Sequence, residues 1–402
     1  MLHPLLNNLV MRIVLSLRSQ LRYCVLRTPR SLGAALGFLS LTLVIASGLN
    51  VLAQQEPKTK EEQKEEKKPD VFKVQKLTQG MGLYAIGPVS PDNKSVLLLA
   101  QKPNSAPNLY LMNLADRSIR PPLTNLKWGV SDPQWSPDGQ SIAFSGSSDT
   151  ASFDEIFVLD IKTSSVRQLT KNAFSDKEPV FMPDGKRLLY TSDESPLPNA
   201  AFGILHVASI PVSGGKPSGF TEDDCSSIHP GLSADGKSVL LVKVSDASGR
   251  HSIWQYGLDG KPQRDLTEEK FARIRKYISG AAGGLIVVWA QEQVEQQEGI
   301  YLLDPRSAQV RELPEPDLPK ASPSLSPDGK LVAFVAPGSF GSQLYIYDFS
   351  SEQIKQLTFK PAITHSPVFA SNNEILFASD RDGQNELYAI NLTQPFEEKK
   401  KK

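Results

Sequence analysis

The chain has 402 residues, 40% of them hydrophobic, which is enough apolar material for a large core and too much for a disordered polymer. Lysine plus arginine and aspartate plus glutamate both number 44, so the formal charge is zero and no global field favours nucleic acid or an acidic polymer. The two cysteines, Cys24 and Cys225, exclude a disulfide framework, because the first lies in a segment expected to be removed.

That segment opens the chain. Arg12, Arg18, Arg22, Arg27 and Arg30 precede the uncharged run GAALGFLSLTLVIASGLNVLA, residues 33–53, which is the order of an export signal. The run is also long enough to span a bilayer, so residues 1–53 read as a signal peptide or a membrane anchor, with cleavage expected after Ala53 and Met11 an alternative start. Residues 54–70, QQEPKTKEEQKEEKKPD, carry no aromatic or aliphatic side chain to offset the entropy of ordering and read as a charged disordered linker. The C-terminal residues 394–402 read as a charged tail. The expected location is the periplasm, or a membrane-anchored chain with its folded part outside the cytoplasm.

Residues 71–393 are repetitive. The tetrapeptides SPDN at Ser90, SPDG at Ser136, MPDG at Met182, SADG at Ser233, AAGG at Ala281, SPDG at Ser326 and ASNN at Ala370 recur every 44–51 residues and predict seven units. Proline presets φ for the first corner of a tight turn and Asp-Gly or Asn-Asn tolerates the left-handed corner, so each joins two antiparallel strands. An apolar run without alternation follows each turn, for example SVLLLA from Ser95 and LVAFVA from Leu331, which implies burial on both faces. A third strand is marked by pairs such as Leu109-Tyr110, Ile156-Phe157 and Leu387-Tyr388, with Ile204-Leu205 the departure. A fourth closes on Leu-Thr or a variant, as in VRQLT ending at Thr170 and IKQLT ending at Thr358. Four strands per unit predict an all-β, seven-bladed β-propeller with four-stranded antiparallel blades. The last unit lacks its fourth strand, and VQKLT, residues 74–78, has the missing pattern, so the N-terminal strand is expected to close the last blade.

The WSPDG turn at Trp135, the SDRDG hairpin at Ser379 and the Leu-Thr endings resemble the WD-like propeller repeats of the TolB family over residues 71 to 393. Similar propellers serve periplasmic TolB, the gating domains of prolyl oligopeptidases and dipeptidyl peptidases, and oligogalacturonate lyases. The resemblance implies envelope integrity or a transport-associated complex.

No catalytic residue, metal site or cofactor is expected. A peptidase needs a G-x-S-x-G elbow and a hydrolase domain, and GSFGS at Gly338 matches only in composition. His206 and His251 read as structural. His229 and His365 open on the channel from roughly opposite sides, too far apart to share an ion at bond lengths near ~2.1 Å. Asp380-Arg381-Asp382-Gly383 lacks the further ligands of a calcium loop. The binding face is expected to carry Trp128, Phe174, His229, Phe271, Arg273, Arg275, Phe359 and His365, because exposed aromatics beside arginine mark protein interfaces. The expected function is a non-catalytic, exported protein-binding scaffold with an envelope partner. The alternative is a propeller enzyme or sensor acting on a saccharide or peptide in the channel.

Overall fold

The computed structural model describes residues 72–395 except 103–104, 125–128, 148–152, 195–203, 222–224, 281–283, 316 and 339–340. The expected signal or anchor, the linker and most of the tail lie outside the described residues, within which no helix is long and apolar enough to cross a membrane.

The described chain is all β. Strands β2 (Leu83–Val89), β3 (Ser95–Ala100) and β4 (Asn108–Asn113) form one sheet. A second holds β5 (Val130–Trp135), β6 (Ser141–Gly146), β7 (Glu155–Asp160) and β8 (Ser165–Gln168), and a third holds β9 (Asp176–Phe181), β10 (Arg187–Ser192), β11 (His206–Pro211) and β12 (Ser218–Gly219). The fourth comprises β13 (Ser226–Leu232), β14 (Ser238–Val244), β15 (His251–Gly257) and β16 (Pro262–Asp265). The fifth comprises β17 (Arg273–Ser279), β18 (Ile286–Gln291), β19 (Gly299–Asp304) and β20 (Gln309–Glu312). The remaining strands are β1 (Phe72–Lys76), β21 (Ala321–Leu325), β22 (Leu331–Pro337), β23 (Gly341–Asp348), β24 (Gln353–Gln356), β25 (Ala362–Ser371), β26 (Glu374–Ser379) and β27 (Glu386–Pro395). These form a single eight-stranded sheet.

The expectation of seven four-stranded blades is therefore corrected: five separate blades of three or four strands stand beside one eight-stranded sheet. Two local causes are visible. Gly341 and Ser342 of β23 pair in parallel with Ala362 and Ile363 of β25, and a side chain at Gly341 would lie 2.2 Å from the Ala362 carbonyl oxygen, so only glycine permits the junction. In the first blade, the segment expected to supply a fourth strand contains Pro121-Pro122, which lack amide hydrogens, and the ladder is reduced to a bridge, Met112 to Ile119, with backbone bonds from the Arg120 and Leu123 amides to the Leu111 and Leu109 carbonyls on either side of the prolines. The third strand of the third blade is also displaced: it starts at His206, so Val207-Ala208, not Ile204-Leu205, holds the paired position.

The repeated motifs have clear physical roles. In the turns, the serine hydroxyl donates to the aspartate two residues on, at 2.6 Å for Ser90–Asp92 and Ser136–Asp138 and 2.7 Å for Ser233–Asp235. These bonds come first among the causes holding the three carboxyls below their usual range. The Leu-Thr ending is a staple. Hydroxyls of Thr78, Thr170, Thr221, Thr267 and Thr358 accept the amide hydrogens of Leu387, Ile156, Val207, Ile253 and Leu344 at 2.8–3.1 Å, tying each outer segment to the start of its third strand. Where Pro314 replaces the threonine, fully buried Lys320 donates instead to the carbonyls of Glu315 and Leu318.

Second and third strands pack between sheets, as their continuous apolar runs require. Leu97, Leu99, Leu109 and Leu111 meet Ile142, Phe144, Phe157 and Leu159 of the next blade, with Phe144 stacked on Phe157 at 5.4 Å. Each such side chain contributes about 1.5–3 kcal/mol of hydrophobic stabilisation. The N-terminal strand β1 lies antiparallel to β27, with Val74 opposite Ile390 and Lys76 opposite Tyr388, as the missing-strand argument expects.

Candidate functional site

The first strands of successive units, β2, β5, β9, β13, β17, β21 and β25, neighbour one another in a closed ring, and most of these strands are interrupted at one place. Asp132, Glu178, His229, Ser322 and Ser366 each precede a proline and adopt left-handed φ values of 50–58° at a register shift against the second strand. Proline cannot donate to the ladder, so the chain bulges there. A non-glycine residue at positive φ costs about 1–3 kcal/mol and persists only where surrounding contacts hold it.

Those contacts form a network across successive inner strands. Glu178 on β9 donates its amide to Ser145 Oγ at 3.1 Å. Its carboxylate meets His229 Nδ1 on β13 at 2.5 Å and accepts the His229 amide at 3.1 Å and the Thr191 hydroxyl at 3.0 Å. Tyr277 on β17 lies with its hydroxyl 2.8 Å from the His229 carbonyl and 2.7 Å from that of Leu240. Burial pushes the Glu178 carboxyl up, but the His229 contacts outweigh it and hold the group below its usual range.

Asp132 and Lys276 flank this network. Both side chains are exposed, yet desolvation by the surrounding protein is the first cause of their shifts, raising the Asp132 carboxyl and lowering the Lys276 ammonium. Repulsion from Glu178 adds to the rise at Asp132, while Asp132 and Glu178 oppose the fall at Lys276.

Of the side chains singled out from sequence, only His229 joins the network. Arg273 and Arg275 are exposed on β17, the strand that carries Lys276, and Arg275 Nε is 2.6 Å from Glu298 Oε1. His365 is half-buried on β25, one residue before the bulge, with Nδ1 3.1 Å from Ser366 Oγ, so it and His229 occupy different positions of their strands. Phe174 and Phe359 are half-buried. Phe271 is wholly buried, edge-on to Tyr301 at 5.0 Å, and packs the fifth blade instead of facing a partner. Trp128 lies outside the described residues. Asp132, Glu178 and Tyr277 escaped sequence reasoning. For the two acids a signal existed: an X-Pro pair whose proline falls three residues ahead of the turn tetrapeptide in SDPQWSPDG and KEPVFMPDG.

Among the described residues, no group of three or more His, Cys, Asp or Glu side chains is arranged to hold a metal ion.

The family described as the TolB beta propeller domain matches residues 53–317. The chain belongs to that family. Over 169 residues it is 29% identical to the uncharacterized peptidase YuxL of Bacillus subtilis, covering 41% of this chain and 23% of the relative. Over 100 residues it is 27% identical to the Tol-Pal system protein TolB of Francisella tularensis, covering 24% of this chain and 23% of the relative. The chain thus spans about a quarter of the length of these curated relatives. Among solved structures, the oligogalacturonate lyase of Vibrio parahaemolyticus superposes with a TM-score of 0.62 at 17% identity, over 80% of this chain and 93% of the lyase, a likeness of fold.

Proposed function

We propose that this TolB-family propeller is an exported, non-catalytic scaffold of the cell envelope that binds a partner protein at its channel. The observation that carries the reading is the channel network itself. Glu178 and His229 are committed to each other and to backbone, which organises the wall, while the charges of Lys276 and Asp132 are left facing water. That is a preformed polar recognition surface on rigid strands. Membership of the TolB family supports the envelope assignment. The test is photo-cross-linking in intact cells from probes placed at Phe174 and Arg273, with an envelope protein captured as the expected result. Fractionation should find a mature chain beginning at Gln54. Turnover of a saccharide or peptide by the purified protein, with or without chelator, would overturn the reading.

One observation favours an enzyme as the second reading: strained Ser366 lies beside His365, whose imidazole is kept toward its neutral, basic form first of all by burial. Covalent labelling of Ser366 by a fluorophosphonate would support that reading, and an unlabelled serine would remove it.

A further inference from the structure

Between the first and second blades lies a cleft of about 510 Å³, within the usual size of small-molecule sites, about 300–1,000 Å³. It sits at one end of the two sheets. Leu83, Ala100 and Asn108 pair in a row across the first blade, and Val130, Gly146 and Glu155 in a row across the second, both at the strand ends remote from the turns at Ser90 and Ser136.

The wall combines an apolar ring with hydrogen-bond acceptors. Tyr84 lines the cleft, is 38% exposed, and donates its hydroxyl to the Val130 carbonyl of the next blade at 2.8 Å. That bond fixes the ring between two blades, so laying a ligand against it costs little further rotamer freedom. Phe153, next in sequence to the lining residue Asp154, is a second exposed ring. Gln101 donates its Nε2 to the Ser105 carbonyl at 3.1 Å, which leaves Oε1 as an acceptor with no donor among the described residues. Asp154 Oδ2 meets Lys177 Nζ at 3.0 Å, and its Oδ1 is likewise without a donor among the described residues.

These features select the charge of a ligand. Among the described residues the wall carries no Lys, Arg or His, and Asp132, beside the lining residue Ser131, is a further acid, so an anion finds no counter-charge. A cation brought to Asp154 would meet Lys177 already in place. Uncharged hydroxyl donors remain, and a sugar ring presents them around an apolar C–H face that suits the negative face of an aromatic ring.

We infer that this cleft between the first two blades binds a neutral pyranose, its C–H face on Tyr84 and its hydroxyls donating to Gln101 Oε1 and Asp154 Oδ1. The site holds its sugar without cleaving it. Ordinary glycoside hydrolysis uses a pair of carboxyl groups flanking the bond, and Asp154 is the one carboxyl among the described lining residues. The inference is independent of the protein-binding reading, because none of the groups it uses belongs to the Glu178–His229 pair.

The test titrates the full chain with cellobiose, lactose and maltose, and with digalacturonate and choline as charged controls, by saturation-transfer NMR and calorimetry. A neutral disaccharide should bind and be recovered intact, with digalacturonate and choline weaker by about tenfold or more, equivalent to about 1.4 kcal/mol. Tyr84→Ala should weaken the sugar by a similar factor, whereas Tyr84→Phe, which keeps the ring, should retain most of the affinity. Gln101→Ala, at an exposed position, should weaken it severalfold and serves where Tyr84→Ala fails to fold. Absence of binding by all three neutral sugars, equal binding of digalacturonate or choline, or affinity that ignores both Tyr84→Ala and Gln101→Ala would overturn the inference. Each of those outcomes leaves the scaffold reading standing, since that reading is decided by envelope cross-linking from Phe174 and Arg273.

Discussion

Thr78 and Glu386, 308 residues apart, are joined by a hydroxyl-to-carboxylate bond of 2.6 Å, and the same hydroxyl accepts the Leu387 amide at 2.9 Å. Glu386 also accepts the Met81 amide at 3.4 Å. The two ends of the described chain are therefore stapled by the Leu-Thr device used within other blades, with Glu386 in the place that Glu155 and Gln343 take elsewhere.

Thr78→Val keeps the shape and removes both bonds, leaving a buried carboxylate under-satisfied. It should cost about 1–3 kcal/mol, seen as a lower melting temperature by calorimetry. Deleting residues 72–78 should cost more and expose β27 to proteolysis. Deletion of 54–70 should do neither. A 72–78 deletion that melts like the intact chain would show that closure contributes nothing.

Gly341→Ala separates steric from backbone effects. Gly341 has φ +85° and its new methyl would sit 2.2 Å from the Ala362 oxygen, whereas Gly383, at φ +105°, has open space around that position. The first substitution should part β23 from β25 and cost well above the ~1–2 kcal/mol set by handedness alone, and the second should stay near that figure. Faster amide exchange at Ile363 in Gly341→Ala would locate the break.

His206 is buried, its Nδ1 has no partner, and burial pushes its pKa from 6.5 down to about 4. The unfolded chain therefore binds the proton first. Stability contributed by the neutral ring is whole above pH 6.5 and falls as the pH drops toward 4. His206→Leu should flatten that part of the denaturant midpoint against pH and change little at pH 8. An unchanged acid slope would reject the assignment.

Arg273→Glu with Arg275→Glu should reduce cross-linking to a partner without much loss of stability. Both side chains are exposed, and the one ion pair lost, Arg275 to Glu298, is a surface pair worth about 0–1 kcal/mol. Undiminished capture by the reversed face would move the interface elsewhere.

The sequence by itself determined the hairpin turns, the doubly buried second strands, the Leu-Thr staples and the return of residues 74–78 to the last blade. Each depends on a few adjacent residues whose local conformation or burial pattern is nearly obligatory. Tertiary structure decided the rest. The fusion of β23 with β25 turns on one missing methyl between residues 21 apart, and the first blade stops at three strands because two prolines meet a particular edge. Asp132, Glu178, His229 and Lys276 lie 46–51 residues apart in sequence, one to a unit, and nothing in the sequence joins them. They become one site because left-handed bulges set Asp132, Glu178 and His229 toward a shared, narrow space, where burial couples charges that open water would have screened.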